Sequence, residues 1–429
     1  MNDSGFQVSK NRLTHRTRTG INMEQLKIDL HSTVTALSSS LDLVGIDEVK
    51  HGKRVAIMAK NVARELGWSK ADCLTLMHAG MLHDCGVSRV QEHRLISETL
   101  EWDGAEAHCI RADAYLQACA PLAHLAVDIR YHHTRWEKLQ SLPLNETTRL
   151  RSNLIYLVDR ADTLQLPFIG SEQILLEYPA IVDYARKQAG RMFAPELVEA
   201  FAHAADEEAF WLAMDPEYLD EELAEFSSHQ TQITLNMDEL RALALLFSRI
   251  VDAKSHYTEE HSERVAKIAR YLAEQLGRTG PVLDLIEIAG LLHDIGKLRV
   301  DEAIIEKPGP LTDREYACIR RHSYDTYQIL RRVFGHTPIP VWAGYHHENL
   351  LGLGYPFKRA PKEIHLEARI VSVADIFQAF AQHRSYRGRL AKDEIIGHLQ
   401  ALVAQGRLDA QVVGALIDHA DECYRLATA

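Results

Sequence analysis

The sequence predicts an all-α protein made of two tandem units. From about Met23 onward nearly every segment spaces its apolar residues three or four apart, no run of alternating β-branched residues competes, and the second half of the chain restates the first. At 429 residues the chain is also too long for one ordinary core, so two domains of roughly 200 residues each are expected.

The helical pattern is plain in ELRALALLFSRIV (239–251) and RVAKIARYLAEQL (264–276). The repeat is equally direct. HGKRVA at 51–56 answers HSERVA at 261–266, and HAGMLHDCG at 78–86 answers EIAGLLHDIG at 287–296, both at a spacing of 210 residues. Further on, ARKQAGRMFAPELVEAF (185–201) answers ALVAQGRLDAQVVGALI (401–417) at a spacing of 216, so only short loop insertions separate the copies. The first domain is expected over about 22–228 and the second over about 236–429, with the polar stretch FSSHQTQITLN (226–236) as the junction.

Composition narrows the function classes. A formal charge of −12, from 48 basic and 60 acidic residues, disfavours broad binding to duplex nucleic acid and leaves room for a small anion held by local positive groups. Six scattered cysteines without CxxC spacing read as reduced thiols. No run of about 18 apolar residues occurs and the N-terminal stretch has no apolar core, so a cytoplasmic protein without a membrane partner is expected.

Candidate metal ligands recur in order. In the second copy they are His261, His293, Asp294, His322, His346, His347 and Asp375; in the first, His51, His83, Asp84, His108, His132, His133 and Asp159. In both copies 32 residues separate the first two histidines, and 24 separate His108 from His132 and His322 from His346. A single helical histidine is more often a satisfied polar group than a ligand. Seven matched positions, twice, argue for ligands. A carboxylate can bridge two cations about 3.5–4 Å apart, and such a pair makes a hydroxide nucleophile near neutral pH while neutralising phosphoryl charge, so phosphoester hydrolysis is the natural reaction. Five histidines with carboxylates suit Fe, Mn, Ni, Co or Zn rather than Ca or Mg.

The motifs YTEEHSERVA (257–266), AGLLHDIGKLRV (289–300), IIEKPGPLTDREYACIRRH (304–322), YHHENLLGLGYP (345–356) and RIVSVADIFQAFAQHRSYR (369–387) together resemble the HD-GYP family of cyclic dinucleotide phosphodiesterases, over about 237–400. The resemblance implies a helical bundle of the HD superfamily and metal-dependent hydrolysis of cyclic di-GMP to pGpG, sometimes onward to GMP. It implies that the seven second-copy positions hold two transition-metal ions, Fe or Mn first among them, with Asp294 bridging and acting in catalysis with Lys297. It also makes Lys297, Tyr355, Arg384 and Arg387 contacts to substrate phosphate, which suits the bidentate geometry of arginine.

Departures from the family pattern bear on the substrate. Leu351 and Gln378 stand where acidic residues are common, and a carboxylate is a natural acceptor for the guanine N1–H and N2–H₂ edge, so their loss favours cyclic GMP-AMP as the alternative substrate. Tyr257 replaces the glutamate that members with a third metal use, which implies two metals. Glu348 is expected to orient the imidazoles, and Gly352 and Gly354 to let the backbone turn close to a ligand.

The first copy resembles a diverged HD-GYP-type domain that keeps the ligands and loses the clamp. Val87 stands at the place of Lys297, HHTRWEKLQSLP (132–143) lacks Gly-Tyr-Pro, and Phe168 and Ser171 stand at the places of Arg384 and Arg387. Its metal site is a second candidate, and Asp47 places a carboxylate four residues before His51. A regulatory or dimerising module, a second phosphohydrolase for a smaller substrate and a structural relic are the three readings. A homodimer and signalling partner proteins are expected alternatives for the assembly, and a non-catalytic cyclic dinucleotide receptor or adaptor is the competing function.

Overall fold

The computed structural model describes residues 28–43, 50–87, 92, 104–227, 234–255, 260–383 and 388–429. Helices dominate, and no strand longer than an isolated bridge occurs among the described residues. Elements used below are α1 (Leu30–Leu41), α2 (His51–Glu65), α3 (Lys70–Leu82), α4 (Glu106–Gln117), α5 (Glu146–Gln165), α6 (Met237–Asp252), α7 (His261–Gln275), α8 (Pro281–Leu292), α9 (Asp313–Phe334), α10 (Ile339–Gly344) and α11 (Leu366–Ala381). The periodic stretches 239–251 and 264–276 fall on α6 and α7, and each buries its apolar stripe.

The two halves pack their helices alike. A Cβ on Gly80 would stand 2.8 Å from the Cα of Ala56, and one on Gly290 would stand 2.7 Å from the Cα of Ala266. Glycine thus lets α3 cross α2, and α8 cross α7, at backbone contact. The turn after the His-Asp pair repeats the device: a Cβ on Gly86 would meet the His108 carbonyl oxygen at 2.0 Å, and one on Gly296 the His322 carbonyl oxygen at 2.1 Å. Each glycine presses the turn that carries the His-Asp pair onto the helix that carries the next histidine.

The residue before the first candidate ligand is left-handed in both halves, Lys50 at φ 74° and Glu260 at φ 59°. Non-glycine residues hold this conformation at a cost of order 1–3 kcal/mol, which the surrounding fold must offset. α9 starts cleanly, because Thr312 caps the Glu315 amide while the Glu315 side chain returns to the Thr312 amide. Helix α1 packs against α3 in its own half and against α9 in the other, within one continuous apolar core. No helix among the described residues is long and apolar enough to cross a membrane.

Candidate metal centre

His293 is the cap of α8, and Asp294 leads into the short 3₁₀ turn Ile295–Arg299, so the pair leaves the helix end in diverging directions. His261 opens α7, His322 lies inside α9, His346 and His347 follow α10, and Asp375 lies inside α11. The structure brings all seven side chains together. His261 Nε2 is 3.4 Å from Asp375 Oδ1 and 3.6 Å from Asp294 Oδ2, and His293 Nε2 is 3.2 Å from the same Asp294 oxygen. The other Asp294 oxygen faces His322 Nε2 at 3.3 Å and His346 Nε2 at 3.8 Å. Asp294 therefore divides its two oxygens between two histidine pairs, and His347 joins His322 and His346 in a third cluster.

What faces inward is fixed by what faces outward. The Nδ1–H groups donate to backbone carbonyls: His293 to Gly290 at 2.7 Å, His322 to Ile319 at 2.5 Å and His346 to Ala343 at 2.6 Å. With Nδ1 donating, Nε2 keeps its lone pair for the centre. His261 Nε2, His293 Nε2 and Asp294 Oδ1 are buried without a hydrogen-bond partner. Orphaned buried acceptors converging on one point are costly unless a cation meets them, so this nitrogen and oxygen donor set fits transition-metal ions.

Electrostatics divide the histidines. Burial pushes His322 down to about 3 and His347 to about 4, so both present neutral imidazoles. Burial works against the Asp294 carboxylate too, but the His293 and Lys297 charges outweigh it and hold the group well below the usual range. For His261 burial is again opposed, here by the Asp294 and Asp375 carboxylates, which raise it to about 9.

Beside the centre opens a cavity of about 440 Å³ whose lining includes Lys297, His322, His347, Tyr355 and Asp375. Its size lies in the usual range for small-molecule sites. The Lys297 ammonium is bonded to Asp294 Oδ2, and the Tyr355 ring packs 4.8 Å from that of His347. Lys307, Tyr316 and Phe380 also line the cavity. Sequence reasoning missed these three; Tyr316 shares α9 with His322, while nothing local marks Lys307 or Phe380.

Three expectations are corrected by geometry. Gln378, fully buried on α11, accepts the His261 Nδ1–H at 2.5 Å and so faces a histidine rather than a substrate base. Its place one turn beyond Asp375 was the available signal. Leu351 is half exposed, lies against Gly406 and is absent from the lining of this cavity. Glu348 accepts from the Phe357 and Arg359 amides at 2.7 and 3.0 Å and fastens the loop after Tyr355, with no bond to an imidazole. Gly354 lets the loop fold tightly on itself: a Cβ there would meet three backbone atoms of His347, Glu348 and Asn349 at 2.5–2.6 Å. Arg384, Arg387, Tyr257 and Asp47 lie outside the described residues.

The first half assembles its seven positions likewise. His51 Nε2 is 3.3 Å from Asp159, His83 Nε2 and His108 Nε2 are each 3.4 Å from opposite oxygens of Asp84, and His132 and His133 complete a cluster with Asp84 and His108. Here His51 Nδ1 is bonded to a carboxylate, Asp162, at 2.6 Å, and Arg54 grips that carboxylate at 2.8 and 2.9 Å. The Arg160 guanidinium bonds Asp159 at 2.7 Å, where the second half has Ile376 in the cavity wall. Val87 is buried at the place of Lys297.

An all-helical fold holding twin histidine–aspartate clusters at helix ends defines an HD-type protein, and the family profile of the HD domain matches residues 245–412. The chain belongs to the HD-GYP family of HD-domain proteins. It is 34% identical over 427 residues, 96% of each chain, to the 3′3′-cGAMP-specific phosphodiesterase 1 of Vibrio cholerae. A cyclic di-GMP phosphodiesterase of Pseudomonas aeruginosa is 35% identical over 176 residues, 41% of this chain and 42% of that one. The crystal structure of a cyclic GMP-AMP specific phosphodiesterase of V. cholerae shares the fold with a TM-score of 0.62 at 23% identity, covering 92% of this chain and 98% of that one.

Proposed function

We propose that the chain is a metal-dependent phosphodiesterase that opens a cyclic dinucleotide, with domains at about 22–228 and 236–429 and the chemistry in the second. The observation that carries this reading is the set of unpartnered, inward-facing Nε2 and carboxylate atoms beside a cavity that Lys297 helps to line. His261, His293, Asp294, His322, His346, His347 and Asp375 would hold two transition-metal ions, Fe or Mn first. When bound, the pair supplies Lewis acidity and an activated water.

The protein's own groups do the rest. Asp294 anchors the Lys297 ammonium at the cavity wall, where its charge would meet a phosphate oxygen. Tyr355, Tyr316 and Phe380 give the cavity aromatic walls on which purine bases can stack. Backbone carbonyls hold the imidazoles oriented, so the centre does not reorganise as the phosphodiester reacts. Arg384 and Arg387 complete the proposed phosphate grip.

Two substrates fit this chemistry, cyclic di-GMP and 3′3′-cyclic GMP-AMP. The second is favoured by the full-length V. cholerae relative, which is named for it. Chromatographic turnover of both, with Mn or Fe supplied, decides between them, and absence of turnover of either with two metals bound in the second half would leave the receptor reading standing. A first domain that holds metal without a phosphate clamp fits a regulatory or dimerising module acting through α1, which touches α9.

A further inference from the structure

The turn that carries Lys297 is fastened in a way the first half does not repeat. Thr326 lies on α9 one helical turn after His322 and is fully buried. Its hydroxyl donates to the His293 carbonyl at 3.0 Å and accepts the Gly296 amide at 3.0 Å, so one side chain clasps both ends of the stretch from His293 to Gly296. The buried Lys254 ammonium, just beyond α6, donates to the Leu298 carbonyl. Arg299 ties the same turn to α9 through Asp325 at 3.0 Å. Lys297 sits between these fastenings.

The first half supplies the comparison. A Cβ on Gly86 would meet the Ala112 amide nitrogen at 2.8 Å, and one on Gly296 would meet that of Thr326 at 2.8 Å, so position 112 is the counterpart of 326 and carries a buried methyl where the second half has a hydroxyl. By the 210-residue spacing Val87 stands for Lys297 and Val44, outside the described residues, for Lys254. The first-half turn is held from Arg111, whose Nε donates to the Gly86 carbonyl at 2.8 Å. Its aspartate still gathers histidines: Asp84 is 3.4 Å from both His83 and His108, much as Asp294 is 3.2 Å from His293 and 3.3 Å from His322. Gathering the ligands therefore needs neither clasp. What the two clasps accompany is the lysine.

We propose that Thr326 and Lys254 are positioning residues that act through Lys297, fixing the backbone of its turn so that the ammonium stays aimed into the cavity; this rests on reading the second half as a phosphodiesterase. A lysine reaches its target on a flexible four-carbon stem, so the place of its charge is set by where the backbone starts and by the Asp294 carboxylate at its end. The turn's own bonds, Lys297 N–H to the Asp294 carbonyl at 2.8 Å and Val300 N–H to the Lys297 carbonyl at 2.9 Å, belong to a short 3₁₀ segment of poor hydrogen-bond geometry. Two buried side chains bonded to backbone on either side of Lys297 remove the freedom that this geometry leaves. Charge held ready in this way acts on a phosphoryl group without reorganising.

The test is a double-mutant cycle in the full-length chain at saturating Mn or Fe. Thr326→Val, Thr326→Ser and Lys254→Met are each placed in the wild-type and the Lys297→Ala background, and kcat/KM for cyclic di-GMP and 3′3′-cyclic GMP-AMP is measured together with metal per chain. Thr326→Val and Lys254→Met should each lower kcat/KM about tenfold with metal content unchanged, as expected when a buried backbone group loses its partner, and Thr326→Ser should restore the rate. In the Lys297→Ala background both effects should shrink to within about twofold. Lys254→Met leaves α9 untouched and carries the test should Thr326→Val fail to fold, and a wild type that binds without cleaving allows the same cycle to be read from dinucleotide affinity. Equal losses in the two backgrounds, metal lost from Thr326→Val, no rescue by serine, or no loss at all would overturn this inference alone. A metal-loaded wild type that neither binds nor cleaves either dinucleotide would overturn the function reading and the inference with it.

Discussion

Replacing Gln378 separates metal positioning from base recognition. The Gln378 side chain accepts the His261 Nδ1–H inside a fully buried pocket, and its own amide nitrogen has no hydrogen-bond partner. Gln378→Ala leaves the imidazole N–H unsatisfied, which costs about 1–3 kcal/mol, and frees the ring to turn. Loss of such an orienting partner typically lowers metal affinity 10–100-fold, equivalent to about 1.4–2.7 kcal/mol. Gln378→Glu should do the opposite. It restores the histidine–carboxylate pair that His51 makes with Asp162, and Arg264 stands at the repeat position of Arg54, which grips that carboxylate in the first half. The assay is metal titration of hydrolysis, followed by turnover of cyclic di-GMP and cyclic GMP-AMP at saturating metal. Gln378→Ala is expected to shift the metal midpoint 10–100-fold and leave the ratio of the two substrates unchanged. A changed ratio with an unchanged midpoint would refute the placement of Gln378 behind His261.

Three further outcomes follow from the same geometry. Lys297→Ala should retain bound metal and lose roughly 10²–10³-fold in kcat, measured under metal saturation, because one charge aimed at developing phosphoryl charge is removed. Gly354→Ala forces a methyl against three backbone atoms at 2.5–2.6 Å, so thermal unfolding should show a loss of about 1–3 kcal/mol and turnover should fall with it. Burial, partly offset by Arg151 at 3.7 Å, pushes the Asp128 carboxyl up to about 7. The folded state thus favours the protonated form, a stabilisation complete below about pH 4 and lost as pH rises through about 7. Chemical denaturation from pH 4 to 8 should show wild-type stability falling on the order of 2–4 kcal/mol from this group, and Asp128→Asn should flatten that slope.

The convergence of these side chains was legible because histidine and aspartate recur in the same order in both halves of the chain, some of them at the same separations. His293 and Asp294 are adjacent, and the 32-residue interval from His261 to His293 and the 24-residue interval from His322 to His346 both recur, so the pattern survived without any knowledge of helix packing. The surroundings were not legible in the same way. Whether Gln378 faces a base or a histidine depends on how α11 is rotated, and Glu348 could be assigned to the loop only once the chain from Phe357 to Arg359 was seen folding back over it. The cavity walls Lys307, Tyr316 and Phe380 come from segments that meet only in the folded state. The helical class followed from the spacing of apolar residues, whereas the contact of α1 with α9 joins helices nearly three hundred residues apart, a separation on which periodicity is silent.

The most direct test of the account is cleavage of both cyclic dinucleotides by three full-length proteins, wild type, Asp294→Ala and Asp84→Ala, with Mn or Fe supplied and products followed by chromatography. Wild type and Asp84→Ala should linearise at least one dinucleotide at comparable rates, and Asp294→Ala should be reduced at least 10³-fold, as expected when a group acting on both metals of a pair is removed. Equal cleavage by wild type and Asp294→Ala, or loss confined to Asp84→Ala, would contradict the assignment of the chemistry to the second half.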